Sequence, residues 1–97
     1  MYARATIVQI LPGKVDKAIG IYRDSVTPAA KKQKGFKGTL LMTDRRGGKG
    51  ISVTLWKTKA DMRASEISGF YLKQVDKFMG VFGALPVREQ YEVTVQA

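Results

Sequence analysis

The most constraining feature of this sequence is a pair of strand-like segments joined by a short glycine-containing turn. The segments run from Phe36 to Asp44 and from Gly50 to Trp56, and Arg45-Arg46-Gly47-Gly48-Lys49 separates them. Glycines supply the positive φ angles that a tight hairpin turn requires. The sequence therefore predicts an antiparallel hairpin. Because an isolated hairpin is only marginally stable, the rest of the chain must extend it and cover it.

The second strand of this hairpin predicts a sheet with two different faces, because side chains alternate along a strand. One face is apolar and carries Ile51, Val53 and Leu55. The opposite face carries Ser52, Thr54 and Trp56. We interpret the second face as one that can hold a ligand.

The segment before the hairpin has the spacing of an amphipathic helix. Apolar side chains recur there at intervals of three and four residues: Val15, Ala18, Ile19, Tyr22 and Val26. Pro28 disfavours the α conformation at Thr27, which predicts a kink or a restart at that point. Lys34-Gly35 then predicts the end of the helix, with the glycine as its C-cap.

A second helical region follows the hairpin. Thr58 and Asp61 have the spacing of a capping box, which predicts a helix start. The pattern breaks near Ser68-Gly69 and resumes on an apolar stripe of Tyr71, Leu72, Val75, Phe78 and Met79 before it ends between Gly80 and Gly83.

Two terminal segments, residues 2–11 and 87–95, complete the pattern as strands. The predicted order is β-α-β-β-α-β, an α+β ferredoxin-like fold in which both helical regions lie on one face of a four-stranded antiparallel sheet. Residues 1–97 then form a single domain. The other face of the sheet has no cover, so we expect a homodimer in which two sheets join into a barrel.

Composition narrows the chemistry. The 97 residues include no cysteine and no histidine, which excludes disulfides, zinc–thiolate sites and histidine-ligated haem and predicts no metal and no cofactor. The net charge is +9, but the basic residues are not interleaved with aromatic ones as in a strand-binding groove, so nucleic acid is not an expected partner. The sequence contains neither a membrane-length apolar run nor a signal-like start, and we expect a cytoplasmic protein with no membrane partner.

Three short motifs resemble a known family. They are Pro12-Gly13-Lys14 before helix one, Gly35-Phe36-Lys37-Gly38 at the second strand, and Leu55-Trp56-Lys57 leading into Lys59-Ala60-Asp61-Met62. Together they resemble the antibiotic biosynthesis monooxygenase (ABM) domain of the dimeric α+β barrel superfamily, over essentially the whole chain. The resemblance implies a homodimer and a cofactor-independent monooxygenase acting on a small phenolic, quinol or polyketide-type substrate.

The resemblance also distinguishes branches of that superfamily. Its haem-degrading branch uses a histidine ligand on the second helix, and this chain has no histidine. Its polyketide-oxidising branch has an asparagine four residues before the third-strand tryptophan and a tyrosine six residues after it. Here Trp56 is preceded by Ser52 at the asparagine position, and Met62 stands at the tyrosine position.

We predict three catalytic residues, Trp56, Ser52 and Arg4. Trp56 would orient an aromatic ring, and its indole N–H would contact a substrate oxygen; alternatively it only fills the core. Arg4 would favour a phenolate through its fixed charge; alternatively it pairs with one of the acidic residues. The predicted substrate-binding residues are Thr6, Thr54, Tyr22 and Tyr71.

Two functions remain open at this point. We lean towards a cofactor-free monooxygenase because of the resemblance and of the face that carries Ser52, Thr54 and Trp56. Without a metal or a flavin, its substrate must become electron-rich on losing a proton before dioxygen reacts with it. The alternative is a non-catalytic dimeric α+β barrel protein that binds a small ligand or a partner.

Overall fold

The computed structural model describes residues 1–97 as four strands and two helical regions. The elements in chain order are β1 (Tyr2–Gln9), α1 (Val15–Ile21), a π-helical turn (Tyr22–Val26), α2 (Thr27–Ala30), β2 (Phe36–Thr43), β3 (Lys49–Trp56), α3 (Lys59–Ile67), α4 (Phe70–Asp76) and β4 (Val87–Glu92). The strands form one antiparallel sheet in the order β2-β3-β1-β4. The predicted ferredoxin-like α+β fold is confirmed.

The hairpin between β2 and β3 forms as predicted. Its turn is closed by a hydrogen bond from the Gly48 N–H to the Asp44 carbonyl, with an N···O distance of 2.8 Å. Gly48 has φ +75°, and a Cβ at this position would lie 2.5 Å from the carbonyl oxygen of Ile10. Only glycine fits here, since both the backbone conformation and the space exclude a side chain.

The first helical segment runs from residue 15 to residue 30, and α-helical structure restarts at Thr27 after the π-helical turn, which agrees with the restart predicted at Thr27-Pro28. Thr27 stays helical, with φ −58° and ψ −49°. Its N–H donates to the Tyr22 carbonyl five residues earlier, and this wider turn separates the proline ring from the α-helical ladder. The helix ends at Ala30 rather than at Lys34-Gly35, and residues 31–35 form turns.

The second helical region begins at the predicted cap, where the Thr58 side chain accepts a hydrogen bond of 3.0 Å from the Asp61 N–H. The predicted break occurs at Gly69, which has φ +86°. The predicted apolar stripe is wrong at two positions, because Leu72 is 62% exposed and Met79 is 81% exposed. The side of α4 that faces the sheet instead includes the polar residue Gln74, which does not belong to an apolar pattern.

All helices cover the same face of the sheet, here called the inner face. The core between them contains eight buried residues: Val8, Ile10, Val15, Ala18, Tyr22, Val26, Phe78 and Val81. The opposite face, here called the outer face, has no cover within one chain. It exposes large apolar side chains on two edge strands: Leu40, Met42, Val87 and Tyr91. None of the helices has the length and apolarity needed to cross a membrane.

Candidate functional site

The strand register gathers the predicted site residues on the inner face. Arg4 of β1 pairs with Thr54 of β3, and Thr6 pairs with Ser52. Tyr22 reaches this face from the first helical segment, and Tyr71 reaches it from α4. One cavity between the sheet and these helices is lined by all seven predicted residues: Arg4, Thr6, Tyr22, Ser52, Thr54, Trp56 and Tyr71.

The cavity is small and mainly apolar. Of its 18 lining residues 13 are hydrophobic, as in ligand sites where a few polar groups set the orientation of the ligand. Its volume of about 70 Å³ is enough for about five waters, whereas a benzene ring needs roughly 150 Å³. A ring-sized ligand therefore requires one wall of the cavity to move. Part of this wall is α4, a seven-residue helix that follows Gly69 and precedes Gly80. Both glycines have positive φ, so α4 is bounded at each end by a turn that glycine permits.

Arg4 is a buried cation with a carboxylate partner. The residue is 3% exposed, and its Nη1 donates to Ser65 Oγ at 2.8 Å and to Glu66 Oε2 at 3.1 Å. Burial lowers the pKa of the guanidinium, and the hydrogen bond to Glu66 opposes that shift. The alternative prediction for Arg4, an ion pair with an acidic residue, is therefore found in the structure, and the acidic residue is Glu66.

Two aromatic rings also flank this cation. The guanidinium carbon lies 4.6 Å from the ring centre of Tyr71 and 5.3 Å from that of Trp56. All side-chain hydrogen bonds of Arg4 use Nη1. Its Nε and Nη2 groups make none, so Arg4 keeps hydrogen-bond donors for a ligand in the cavity that it lines.

Trp56 offers the cavity its ring, because its indole N–H is already bonded within the chain. The side chain is fully buried and packs edge-on against Phe36. Its indole N–H donates to Thr54 Oγ1 at 2.9 Å, so the predicted contact between this N–H and a substrate oxygen is already replaced by one within the chain. Because Thr54 accepts this bond and donates none, its hydroxyl hydrogen remains available to a ligand.

A chain of hydroxyl groups runs through Tyr22. Thr39 Oγ1 donates to the Val53 carbonyl at 3.0 Å, so Tyr22 must be the donor in its close contact with Thr39. The Ser52 hydroxyl then donates to Tyr22 at 2.7 Å. This chain of hydroxyl groups ends at a carbonyl oxygen, which does not take up a proton. It therefore orients the Ser52 hydroxyl, but it does not relay a proton from a substrate. Thr39 was not predicted from the sequence.

Gln74 is the polar group of the cavity that sequence reasoning missed. The residue is 8% exposed, it lines the cavity, and its Oε1 is buried with no hydrogen-bond partner. Its side-chain nitrogen makes no hydrogen bond either, so turning the amide over would only replace the unpaired buried acceptor by an unpaired buried donor. An unpaired buried acceptor of this kind costs roughly 1–3 kcal/mol. The signal in the sequence was a glutamine one turn after Tyr71 on a helix with an otherwise apolar inward arc.

The remaining electrostatics of the cavity are simple. Arg4 is its only charged lining residue, and no carboxylate lines it. Acidic side chains do not gather in groups of three anywhere in the chain. A bound substrate would therefore meet hydroxyls, an amide, aromatic rings and a cation, but no carboxylate or imidazole that could act as a general base.

No protein-family model matches the sequence of this chain. It is 32% identical over 93 residues to an uncharacterised protein, Rv2557, of Mycobacterium tuberculosis; the match covers 96% of this chain and 41% of that protein. A second protein of that organism, Rv2558, is 40% identical over 65 residues, which are 67% of this chain and 28% of that one. The chain thus spans about two fifths of the length of the first of these relatives.

Solved structures give a clearer result. The ActVA-Orf6 monooxygenase of Streptomyces coelicolor, solved with nanaomycin D, superposes with a TM-score of 0.78 over 99% of this chain and 89% of that one, at 10% identity. The chain has an ABM-like fold. The cofactor-independent oxygenase SnoaB of Streptomyces nogalater gives 0.75 over 98% and 94%, at 9% identity, and Rv0793 of Mycobacterium tuberculosis gives 0.75 over 99% and 97%, at 12% identity. At these identities the ABM-like likeness concerns the fold alone.

Proposed function

We propose that this chain is a cofactor-independent monooxygenase that acts on a small phenolic, quinol or polyketide-type molecule. One observation carries the proposal: the inner-face cavity of an ABM-like fold has apolar walls and a single buried cation, Arg4, beside two aromatic rings. The structural neighbours include the cofactor-independent oxygenase SnoaB and the ActVA-Orf6 monooxygenase, and the cavity is where we place such a reaction in this chain.

Arg4 supports the first step, which is ionisation of the substrate. A fixed positive charge in an apolar cavity lowers the pKa of a nearby phenol, because it stabilises the phenolate. Arg4 retains unused donors at Nε and Nη2 for the phenolate oxygen. Since no carboxylate or imidazole lines the cavity, we expect substrates that ionise near neutral pH once they lie beside this cation.

The oxidation then balances without a cofactor. In an anthrone-like substrate the electron-rich carbanion formed on ionisation reacts with dioxygen, and a methylene becomes a carbonyl. One oxygen atom enters the new C=O bond, and the other leaves as water with the two methylene hydrogens. The carbon loses four electrons and dioxygen gains four. The protein orients the ring, through Trp56 and Tyr71, and excludes bulk water.

We further propose that the working unit is a homodimer joined through the outer face. This face exposes Leu40, Met42, Val87 and Tyr91, and it also carries Ile51, Val53 and Leu55. Apolar side chains this numerous on one sheet face favour a second surface of the same kind. A symmetric pairing of two outer faces covers both at once.

Oxygen uptake tests the proposed reaction. A panel of anthrones, quinols and acidic phenols should produce enzyme-dependent consumption of dioxygen, with a carbonyl or quinone product identified by mass spectrometry. We expect Trp56→Phe and Ser52→Ala to lower turnover by more than any change in their stability explains. Leu72→Ala, on the exposed side of α4, is the matched control and should keep full turnover. Traces equal to buffer across the panel would refute the oxygenase.

A second candidate function is non-catalytic binding of the same class of molecule. The absence of any carboxylate or imidazole among the cavity residues favours it, because binding needs no base. Trp56 is the only tryptophan and is fully buried against the cavity, so quenching of its fluorescence reports occupancy. Saturable quenching without oxygen uptake would select this second function.

A further inference from the structure

Gln74 has no role in the chemistry described above, yet it is the most unusual polar group in the molecule. It is 8% exposed and lines the cavity from α4, and its Oε1 is a fully buried acceptor without a hydrogen-bond partner. Buried amides are almost always satisfied, so an orphan of this kind points to a partner that is absent from the free chain.

The partner must be a hydrogen-bond donor. None of the hydroxyl groups that line the cavity supplies one in the structure: Ser52 donates to Tyr22, Thr6 and Tyr71 bond to each other at 3.2 Å, and the free hydroxyl hydrogen of Thr54 makes no bond to Gln74. We therefore propose that Gln74 Oε1 accepts a hydrogen bond from a hydroxyl group of the bound ligand, and that this contact selects ligands with such a donor. This inference rests on the proposed function in that a small aromatic molecule occupies the cavity with its ionising hydroxyl beside Arg4.

The position of Gln74 also specifies the ligand. Arg4 lies 4.6 Å from the ring centre of Tyr71, and Gln74 follows Tyr71 by three residues, an advance of about 4.5 Å along the helix axis. A ligand that places one oxygen at Arg4 and a hydroxyl at Gln74 therefore carries two oxygen substituents at separate positions of its ring. When the oxygen beside Arg4 is the ionising hydroxyl of the proposed function, this describes a dihydroxylated aromatic, and it disfavours a molecule with a single hydroxyl.

The cost of the orphan falls on the free protein, which gives a second, ligand-independent consequence. Methionine has nearly the volume and the helix propensity of glutamine and carries no group that needs a partner. Gln74→Met should therefore raise the thermal midpoint of the free protein while it weakens the selection of hydroxylated ligands. A purely structural glutamine would lose stability on the same change.

The test compares hydroquinone with 4-methoxyphenol by isothermal calorimetry under argon, which prevents oxidation. The two probes share a ring and one hydroxyl, and the second lacks the other donor. We expect the unsubstituted protein to bind hydroquinone roughly tenfold more tightly, and Gln74→Met to bind both about equally. Gln96→Met, the same change at an exposed residue with no side-chain hydrogen bond, should keep the preference.

The outcomes separate the two proposals. Equal binding of the probes by the unsubstituted protein, or a preference that persists in Gln74→Met, overturns the role of Gln74 and leaves the proposed function standing. A lower thermal midpoint for free Gln74→Met also overturns it, because the amide is then satisfied in the free chain. Failure of both probes to bind the unsubstituted protein overturns the proposed function, and the role of Gln74 with it.

Discussion

Part of the sheet reverses the usual relation between residue type and burial on its two faces. On the inner face, β1 and β3 present Arg4, Thr6, Ser52 and Thr54 under the helices, while the outer face leaves Leu40 and other apolar residues uncovered. A sheet arranged only for stability would turn its apolar residues towards the helices. The comparison teaches that the covered face gives up some core to place a few polar groups in a mainly apolar cavity, and that the uncovered face keeps apolar surface that no part of the chain covers.

The largest expected effect concerns the outer face. Val53 is half-buried there between Ala5 and Leu40, and Val53→Lys would place two unpaired ammonium groups in a symmetric dimer contact. We expect the dimer dissociation constant to rise at least ~100-fold, or about 2.7 kcal/mol. Light scattering over a dilution series measures this change, with circular dichroism to check the fold.

The control for this change is Leu72→Lys, on the exposed side of α4, which should leave the association unchanged. A monomeric unsubstituted protein, or a Val53→Lys variant that associates as strongly as the unsubstituted one, would show that the outer face does not hold a second copy.

The next effect concerns the buried cation of the inner face. Arg4→Met keeps the length of the side chain but leaves Ser65 and Glu66 without their donor. We expect a loss of about 2–4 kcal/mol in the free energy of unfolding, less than for a fully buried pair because Glu66 retains bonds to Gln90. Urea denaturation measures the loss. A change below about 0.5 kcal/mol would mean that burial of Arg4 is as costly as its pairing is favourable.

The hydroxyl chain should contribute less. Tyr22→Phe removes the central member and leaves Ser52 and Thr39 without one partner each. We expect a loss of about 1–2 kcal/mol in the free energy of unfolding. Tyr91→Phe, on the exposed outer face, is the matched control, and its stability should be measured at a protein concentration where the chain is monomeric. Equal losses of unfolding free energy in the two variants would show that the chain of hydroxyl groups does not stabilise the protein.

The smallest effect separates burial from charge. Arg88 also faces Glu66, at 3.6 Å, but it is 44% exposed. Arg88→Met should therefore change the free energy of unfolding by less than about 0.5 kcal/mol. The same urea titration applies. A loss as large as that of Arg4→Met would mean that solvent does not screen this pair.

Much of the fold could be predicted because local patterns agreed with it. The hairpin glycines, the Thr58 cap and the alternation along β3 each predicted a feature that the structure contains. The alternation also placed Ser52, Thr54 and Trp56 on one face, and the resemblance added the expectation that a substrate binds there. Homodimerisation and cofactor-free catalysis stay predictions.

What could not be predicted depended on tertiary contacts or on polar residues in apolar surroundings. Glu66 lies 62 residues from Arg4 in sequence, and nothing local distinguishes it from the other acids. Gln74 breaks the apolar pattern of α4, so periodicity assigned Leu72 and Met79 to the stripe although both are exposed. A polar residue at an inward position is the signal to examine in such a helix.

The π-helical turn from Tyr22 to Val26 also restricts how this chain can change by mutation. A deletion of one residue there would restore ordinary α-helical spacing, and Pro28 would then press against a carbonyl four residues earlier at a cost of about 3 kcal/mol. Replacing Pro28 first removes this obstacle, because any other residue lacks the ring that meets the carbonyl and supplies the backbone N–H that proline lacks. Descendants of this sequence can therefore lose the proline and then the extra residue, whereas the reverse order passes through a destabilised intermediate.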